Sequence, residues 1–214
     1  LELDSSQTLI LVFGASSYSE NFSAIQELVQ KFPQSKIVGC STAGEILGET
    51  VHDESLSVAF VKFEKTEINI TNSAVSDASQ SFEAGKKIAN DLNRDNLRGV
   101  LILSDGLNVN GTELVSGINS VLPSTISVTG GLAGDGANFE KTWIIADGVP
   151  HSNFVSAVGF YGDNIKIGHG SKGGLDILGI ERKVTKSYKN QLFELDGKPA
   201  LQLYKEYLGD KASE

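Results

Sequence analysis

Apolar positions along the chain alternate between a strand period and a helix period, and the order of the two periods is the same in both halves. Leu9 to Phe13 is a continuous apolar run ending at Gly14, the pattern of a parallel strand covered on both faces. Ile25, Leu28, Val29 and Phe32 fall at helical spacing, and Pro33 stops that helix. Ile37 and Val38 begin a second strand, which runs into a small-residue loop, Gly39 to Gly44. From Ile46 to Ile70 the pattern is extended, with a turn at Val51 to Glu54 leading into Leu56 to Phe63. Phe82, Ile88, Ala89 and Leu92 then mark one side of a helix over 78–92. Val100 to Leu103 is the next buried strand. Asn110-Gly111-Thr112-Glu113 has capping-box spacing and opens a helix to Val121, and Ile126 to Val128 leads into a second glycine loop. Trp143 to Ala146, Phe154 to Phe160 and Ile165 to Ile167 follow as predicted strands. Pro199, the stripe Leu201, Tyr204 and Leu208, and Gly209 describe a last amphipathic helix whose apolar face needs a cover.

The halves match without a gap. Val38-Gly39-Cys40-Ser41-Thr42-Ala43-Gly44-Glu45 returns, loosened, as Val128-Thr129-Gly130-Gly131-Leu132-Ala133-Gly134-Asp135, a shift of 90 positions (128 − 38 = 90). The same shift carries Pro33 to Pro123, Leu28 to Ile118 and Ile25 to Val115. The expected fold is α/β: mixed parallel and antiparallel sheets with helices on the outer faces, in two duplicated β-α-β plus hairpin halves, about 1–75 and 76–185. Ligands of open α/β sheets sit beyond the carboxyl ends of parallel strands, where a glycine loop stands in both halves. The crevice between these loops is the expected site, with Gly44 and Gly134 at equivalent positions.

Composition narrows the function. A chain of 214 residues with 40% hydrophobic content can bury a full core. A formal charge of -9 leaves no basic surface for nucleic acid, and no apolar run reaches the roughly 20 residues of a membrane span. Without a signal sequence at its start the chain reads as cytoplasmic. One cysteine and three scattered histidines make neither a disulfide nor a structural zinc site. With no methionine, the chain reads as a processed product or an excised piece.

Each candidate group has a plain alternative. Successive N–H groups at Gly130 and Gly131, with Leu132 and Gly134 beside them, could cradle a carboxylate, or the glycines could serve a tight backbone crossing. Ser41, Thr42 and Gly44 occupy the matching positions in the first loop. Glu45 stands where a P-loop requires lysine, which excludes nucleoside triphosphates, and Leu132 breaks a dinucleotide-binding pattern. Cys40 has Gly130 as its counterpart, so the position reads as one requiring a small residue rather than as a nucleophile. Asp105 ends a strand and, with Asn108, is better explained by a ligand than by turn chemistry, whereas Asn110 has a sufficient role as a helix cap. His169 shares parity with Ile165 and Ile167 and is expected on the buried side of a strand. For an amino acid, the N–H groups of Gly130 and Gly131 would take the carboxylate, and Asp105, Asp135 or Glu45 the ammonium.

Gly39 to Glu45, Ser104 to Gly111, Gly130 to Gly136, Val158 to Gly162 and Gly168 to Ser171 together resemble the FIST sensory domain. The resemblance implies an N-terminal FIST region over 1–185, with 186–214 opening a C-terminal FIST subdomain at Leu195 to Ala200. It implies detection of a small molecule, with amino acids the proposed class, and output through histidine kinases, cyclases or chemotaxis receptors. Some relatives are thought to bind haem and sense nitric oxide, so His169 and Cys40 are the alternative axial ligands. The family supplies no settled catalytic residues. No catalysis and no resident cofactor are expected. An enzyme working in the same crevice is a further alternative, though nucleophile, base and orienting group cannot be named together.

Overall fold

The computed structural model describes residues 2–174, 176, 177 and 179–213. It divides into two compact units, one running to His169 and the other beginning at Gly170. In the first unit the apolar run forms β1 (Thr8–Gly14), followed by a short 3-10 turn, Ser16–Ser19. Helix α1 (Ser23–Lys31) leads back to β2 (Lys36–Ser41), which pairs parallel with β1 from Leu9↔Lys36 to Gly14↔Ser41. A hairpin of β3 (Glu45–Leu47) and β4 (Thr50–His52) precedes β5 (Leu56–Lys62), antiparallel to β1, and then β6 (Glu67–Ala74). The second half repeats this connectivity. After α2 (Ser81–Leu92), β7 (Leu97–Ser104), α3 (Gly111–Asn119) and β8 (Ser127–Leu132) form a parallel β-α-β segment. A hairpin of β9 (Ile144–Ala146) and β10 (Val149–His151) precedes β11 (Phe154–Tyr161), antiparallel to β7.

Three strands change sides. The β9–β10 hairpin joins the first sheet, ordered β10-β9-β2-β1-β5, and β6 joins the second, ordered β6-β11-β7-β8. Neither half can therefore complete its sheet alone. Register differs by one residue: Leu9 pairs with Lys36 (36 − 9 = 27), whereas Gly99 pairs with Ser127 (127 − 99 = 28). Parallel β-α-β connections recur among unrelated chains, so shared connectivity alone does not make the halves copies.

Strand periodicity divides the core into layers. Ile10 and Val12 face α1 with Ile25, Trp143 and Ile145, while Leu9, Leu11 and Phe13 face the other sheet. There they meet Leu101, Leu103, Val158 and Phe160, and Val100 and Ile102 on the opposite face pack under α2 and α3 with Ile88 and Ile118. The result is helix, sheet, sheet, helices, with the helices outside as expected.

Several boundaries differ from the sequence pattern. The hairpin turn lies at Gly48-Glu49, because Ile46 pairs with Val51; of the turn expected at Val51 to Glu54, Val51 and His52 belong to β4 and Asp53-Glu54 bend into β5. Ile165 to Ile167 is no strand: both isoleucines pack on the inter-sheet core as irregular chain, and His169 is exposed instead of buried. β8 runs on through Gly130, Gly131 and Leu132, so the second loop begins only at Ala133. Pairing to β7 drives that extension, and a Cβ at Gly130 would collide with the Ile102 carbonyl oxygen.

The second unit holds β12 (Val184–Tyr188), β13 (Gln191–Leu195), the two-residue β14 (Lys198–Pro199) and α4 (Ala200–Leu208). The three strands form an antiparallel sheet that the sequence pattern had not indicated. Asp196 accepts from Lys183 N at 2.9 Å and from Arg182 Nη1 at 3.2 Å, tying the turn before β14 to the start of β12. Ala200 and Leu203 are buried, whereas Leu201 and Tyr204 on the predicted stripe are exposed.

Candidate functional site

The two loops do meet. Where β2 ends, Ser41 N donates to Trp143 O at 2.9 Å and Ser41 Oγ accepts from Trp143 N at 3.0 Å. The buried Trp143 indole donates to Ala15 O at 3.0 Å, so this loop rests on a fixed aromatic base. From the other half, Ala133 N donates to Ser104 O at 2.7 Å and Gly134 N to Ser41 O at 3.0 Å. Gly134 sits at the crossing, where an added Cβ would lie 3.3 Å from Ala43 N.

Beyond the crossing lies a cavity of about 190 Å³, lined by residues 42–45 of the first loop and 135–138 of the second. Ala15, Ser16, Asp53 and Glu54 complete it. Drug-sized sites measure roughly 300–1,000 Å³, so this space suits a smaller molecule. Four carboxylates line it and no cationic side chain does. Two of the four are committed within the protein. Glu45, 2% exposed, accepts from Thr42 Oγ1 at 2.6 Å, Ser55 Oγ at 2.8 Å and Ser55 N at 3.0 Å. Asp135 accepts from the N–H groups of Glu140 at 2.6 Å, Lys141 at 2.9 Å and Phe139 at 3.1 Å. Asp53 and Glu54 are exposed, Glu54 accepting from Ser17 Oγ at 2.9 Å. The N–H groups of Ala43, Gly44, Gly136 and Ala137 have no hydrogen-bond partner among the described residues.

The Lys141 N–H, followed by those of Glu140 and Phe139, holds the Asp135 carboxyl below the ordinary carboxylate range against the opposing effect of desolvation. A depressed folded pKa contributes stability that is present above the unfolded value of about 4 and is lost as pH falls through the folded one. Amide-exchange protection factors at Phe139, Glu140 and Lys141 should thus be high at neutral pH and fall only on acidification below about 4. Protection at pH 7 no greater than at pH 3 would show that the carboxylate does not hold this loop.

Of the residues singled out in the sequence, Thr42, Gly44, Glu45 and Asp135 line the cavity, with Ser41 beneath it and Gly134 at the crossing. Gly130, Gly131 and Leu132 lie outside the lining, on an edge strand. Cys40 points into the inter-sheet core, where burial pushes its thiol up to about 12, leaving it protonated at neutral pH. Asp105, 1% exposed, accepts from Asn108 N (2.7 Å), Leu107 N (2.9 Å), Thr142 Oγ1 (2.9 Å) and Asn153 N (3.0 Å). Asn108 Nδ2 donates to Asn153 Oδ1 at 2.7 Å, and neither Asp105 nor Asn108 lines the cavity. A haem would need an axial ligand facing an apolar slot. An exposed His169 and a sealed, protonated Cys40 do not fit that requirement. Asp53, Glu54, Ala137 and Asn138 were missed by the sequence reading, although Asp53-Glu54 directly follows the hairpin that Glu45 opens.

A family model of the FIST N domain matches residues 8–198. The "Uncharacterized protein MJ1623" of Methanocaldococcus jannaschii is 30% identical over 209 residues, covering 85% of this chain and 36% of that protein. The chain thus spans about a third of the length of this relative. No solved structure matches the chain.

Proposed function

The chain belongs to the FIST N domain family, a family of sensory domains in signal transduction, and from that premise we propose that it detects a small cationic or zwitterionic molecule between its two loops. The observation that carries this is the cavity where residues 42–45 and 135–138 meet, with carboxylates and no cationic side chain on its walls. Asp53 and Glu54 would face an ammonium group. The N–H groups of Ala43, Gly44, Gly136 and Ala137 would take a carboxylate in place of those of Gly130 and Gly131. An amino acid has both groups. Glu45 and Asp135 hold the loops in shape for it. Binding without catalysis is part of this reading and rests on the sensory role of the family. Output to a kinase, cyclase or chemotaxis receptor follows from the family and remains part of this proposal. Among the described residues no helix is long and apolar enough to cross a membrane.

Ser41 is bonded to Trp143 on both sides, so a large residue there would damage the fold, and exposed Ala43 and Ala137 are the better positions to fill. Thermal-shift titrations with the common amino acids and the corresponding amines should find a stabilising ligand, worth about 2.7 kcal/mol at a hundred times Kd. Ala43→Leu and Ala137→Leu should each abolish that response while altering unliganded stability by less than about 0.5 kcal/mol. An undiminished response in both variants would place the site elsewhere.

A further inference from the structure

The hairpin of β3 and β4 pairs with itself and with no other strand among the described residues, and a two-stranded sheet alone is marginally stable in water. Glu45 is its one buried residue, and residues 46–54 are all exposed. Ile46, Leu47 and Val51 are 69%, 66% and 68% exposed, so the hairpin carries three apolar side chains into solvent. Its roots are fixed and its body is not. At one root Glu45 is held by Thr42 and Ser55, and at the other Ser55 O accepts from Ala15 N at 3.1 Å. Between the roots, two exposed hydrogen bonds fasten the hairpin to the rest of the unit: Ser57 Oγ to Ile46 O at 3.0 Å and Ser17 Oγ to Glu54 Oε2 at 2.9 Å.

Empty space flanks the hairpin on both sides. Leu47 and His52 line a cavity of about 220 Å³ between the hairpin and the start of β5, so this face is not packed down on the sheet. On the other side, Gly44 and Glu45 before the hairpin and Asp53 and Glu54 after it line the loop cavity. Ile46 and Val51 are cross-strand partners and share one face. Val51 and Asp53 converge over Gly44, where an added Cβ would lie 3.0 Å from Val51 Cγ1 and 3.7 Å from Asp53 Oδ1. The apolar face of the hairpin therefore stands at the rim of the loop cavity.

We infer that this hairpin is the moving part of the sensor, a flap that closes over the loop cavity when Asp53 and Glu54 take up an ammonium group. The inference rests on the sensor reading above. Both carboxylates lie on the return from β4 to β5, so a cation held between them and residues 135–138 of the opposing loop draws the flap inward. With the cavity empty, its four carboxylates repel one another and favour the open position. Closure moves Ile46 and Val51 from water onto the cavity mouth, and the apolar area covered adds to affinity. A ligand shifts an equilibrium only through contacts that differ between its two states, and the flap supplies such contacts. Gly44 before β3 and Glu54, at φ 51°, after β4 are the hinge positions.

Amide hydrogen exchange of the whole chain, free and with L-alanine or ethylammonium, tests the flap. In the free protein residues 46–52 should show protection factors far below those of β1, and either probe should raise them about tenfold while leaving β1 unchanged. The double variant Ile46→Ser, Val51→Ser changes two exposed positions outside the cavity lining. It should keep the melting temperature of the free protein yet bind both probes about tenfold more weakly, because the apolar cover is lost. Free-state protection equal to that of β1 would overturn the inference whatever binds, since the hairpin would then be a fixed wall. Equal affinity of the double variant and the unaltered protein would also overturn it, and the sensor reading would stand. Failure of both probes to protect the hairpin would do the same. If the double variant does not fold, Ile46→Ser alone and the exchange comparison decide it. The sensor reading fails separately, when none of the common amino acids and amines stabilises the protein.

Discussion

Asp105→Ala should destabilise the protein by about 4 kcal/mol, more than any other single truncation at the loop ends. Asp105 stands at the end of β7 and is 1% exposed. Its Oδ1 gathers Leu107 N and Asn108 N, and its Oδ2 gathers Asn153 N and Thr142 Oγ1. Three separate stretches of chain therefore close on one side chain. Alanine would leave three backbone donors and a hydroxyl without partners, and each buried donor left so costs about 1–3 kcal/mol. Partial hydration after local relaxation brings the sum down to the figure given. Asp105→Asn should cost about half as much, because an amide nitrogen on the Oδ2 side would oppose the Asn153 N–H while the Oδ1 contacts survive. Urea unfolding would measure both. A loss below about 1 kcal/mol for Asp105→Ala would show that these hydrogen bonds are replaceable by water.

This same residue shows where the sequence was legible and where it was not. The layers could be read because strand and helix periods are carried by side chains whose neighbours lie close in sequence: Ile10 and Val12 against Leu9 and Leu11, or Ile88 and Leu92 on one face of α2. Asn110 was readable as a cap, and it accepts from Glu113 N at 3.2 Å. Asp105 read as a ligand group, because its donors Thr142 and Asn153 are 37 and 48 residues away and no local pattern announces them. The glycine loops were legible as features, yet their roles separated in space. Gly130 lets β8 pass close to β7, Gly134 lets two loops cross, and only Gly44 and Gly136 reach the cavity. Glu45 and Asp135 illustrate the general difficulty. A carboxylate at a strand end looks alike in sequence whether it binds a ligand or fastens a loop, and its partners here are backbone N–H groups or hydroxyls that leave no compositional trace. The swap of β6 and the β9–β10 hairpin between sheets was likewise invisible, since apolar alternation specifies a face and not a neighbour.

The second large effect belongs to the outer layer, where α2 and α3 cross. Gly85 on α2 and Gly117 on α3 stand at the contact, and a Cβ on either would collide with opposing backbone: the Leu114 carbonyl for Gly85 and the Phe82 carbonyl for Gly117. In both cases the obstacle is main chain, so no rotamer change can make room. Gly117→Ala should therefore cost about 2–3 kcal/mol despite the gain in helix propensity that alanine normally brings. Gly85→Ala should behave alike. Because both substitutions press on one crossing, the first must push the helices apart and loosen Ile88 and Ile118 over the sheet, after which the second meets less resistance. The double variant should fall short of the sum of the singles by about 1 kcal/mol or more, the signature of neighbours that share a relaxation. A strictly additive cycle would mean that each helix yields locally by bending. Stabilisation by either alanine would mean that the helices do not approach as closely as this packing requires.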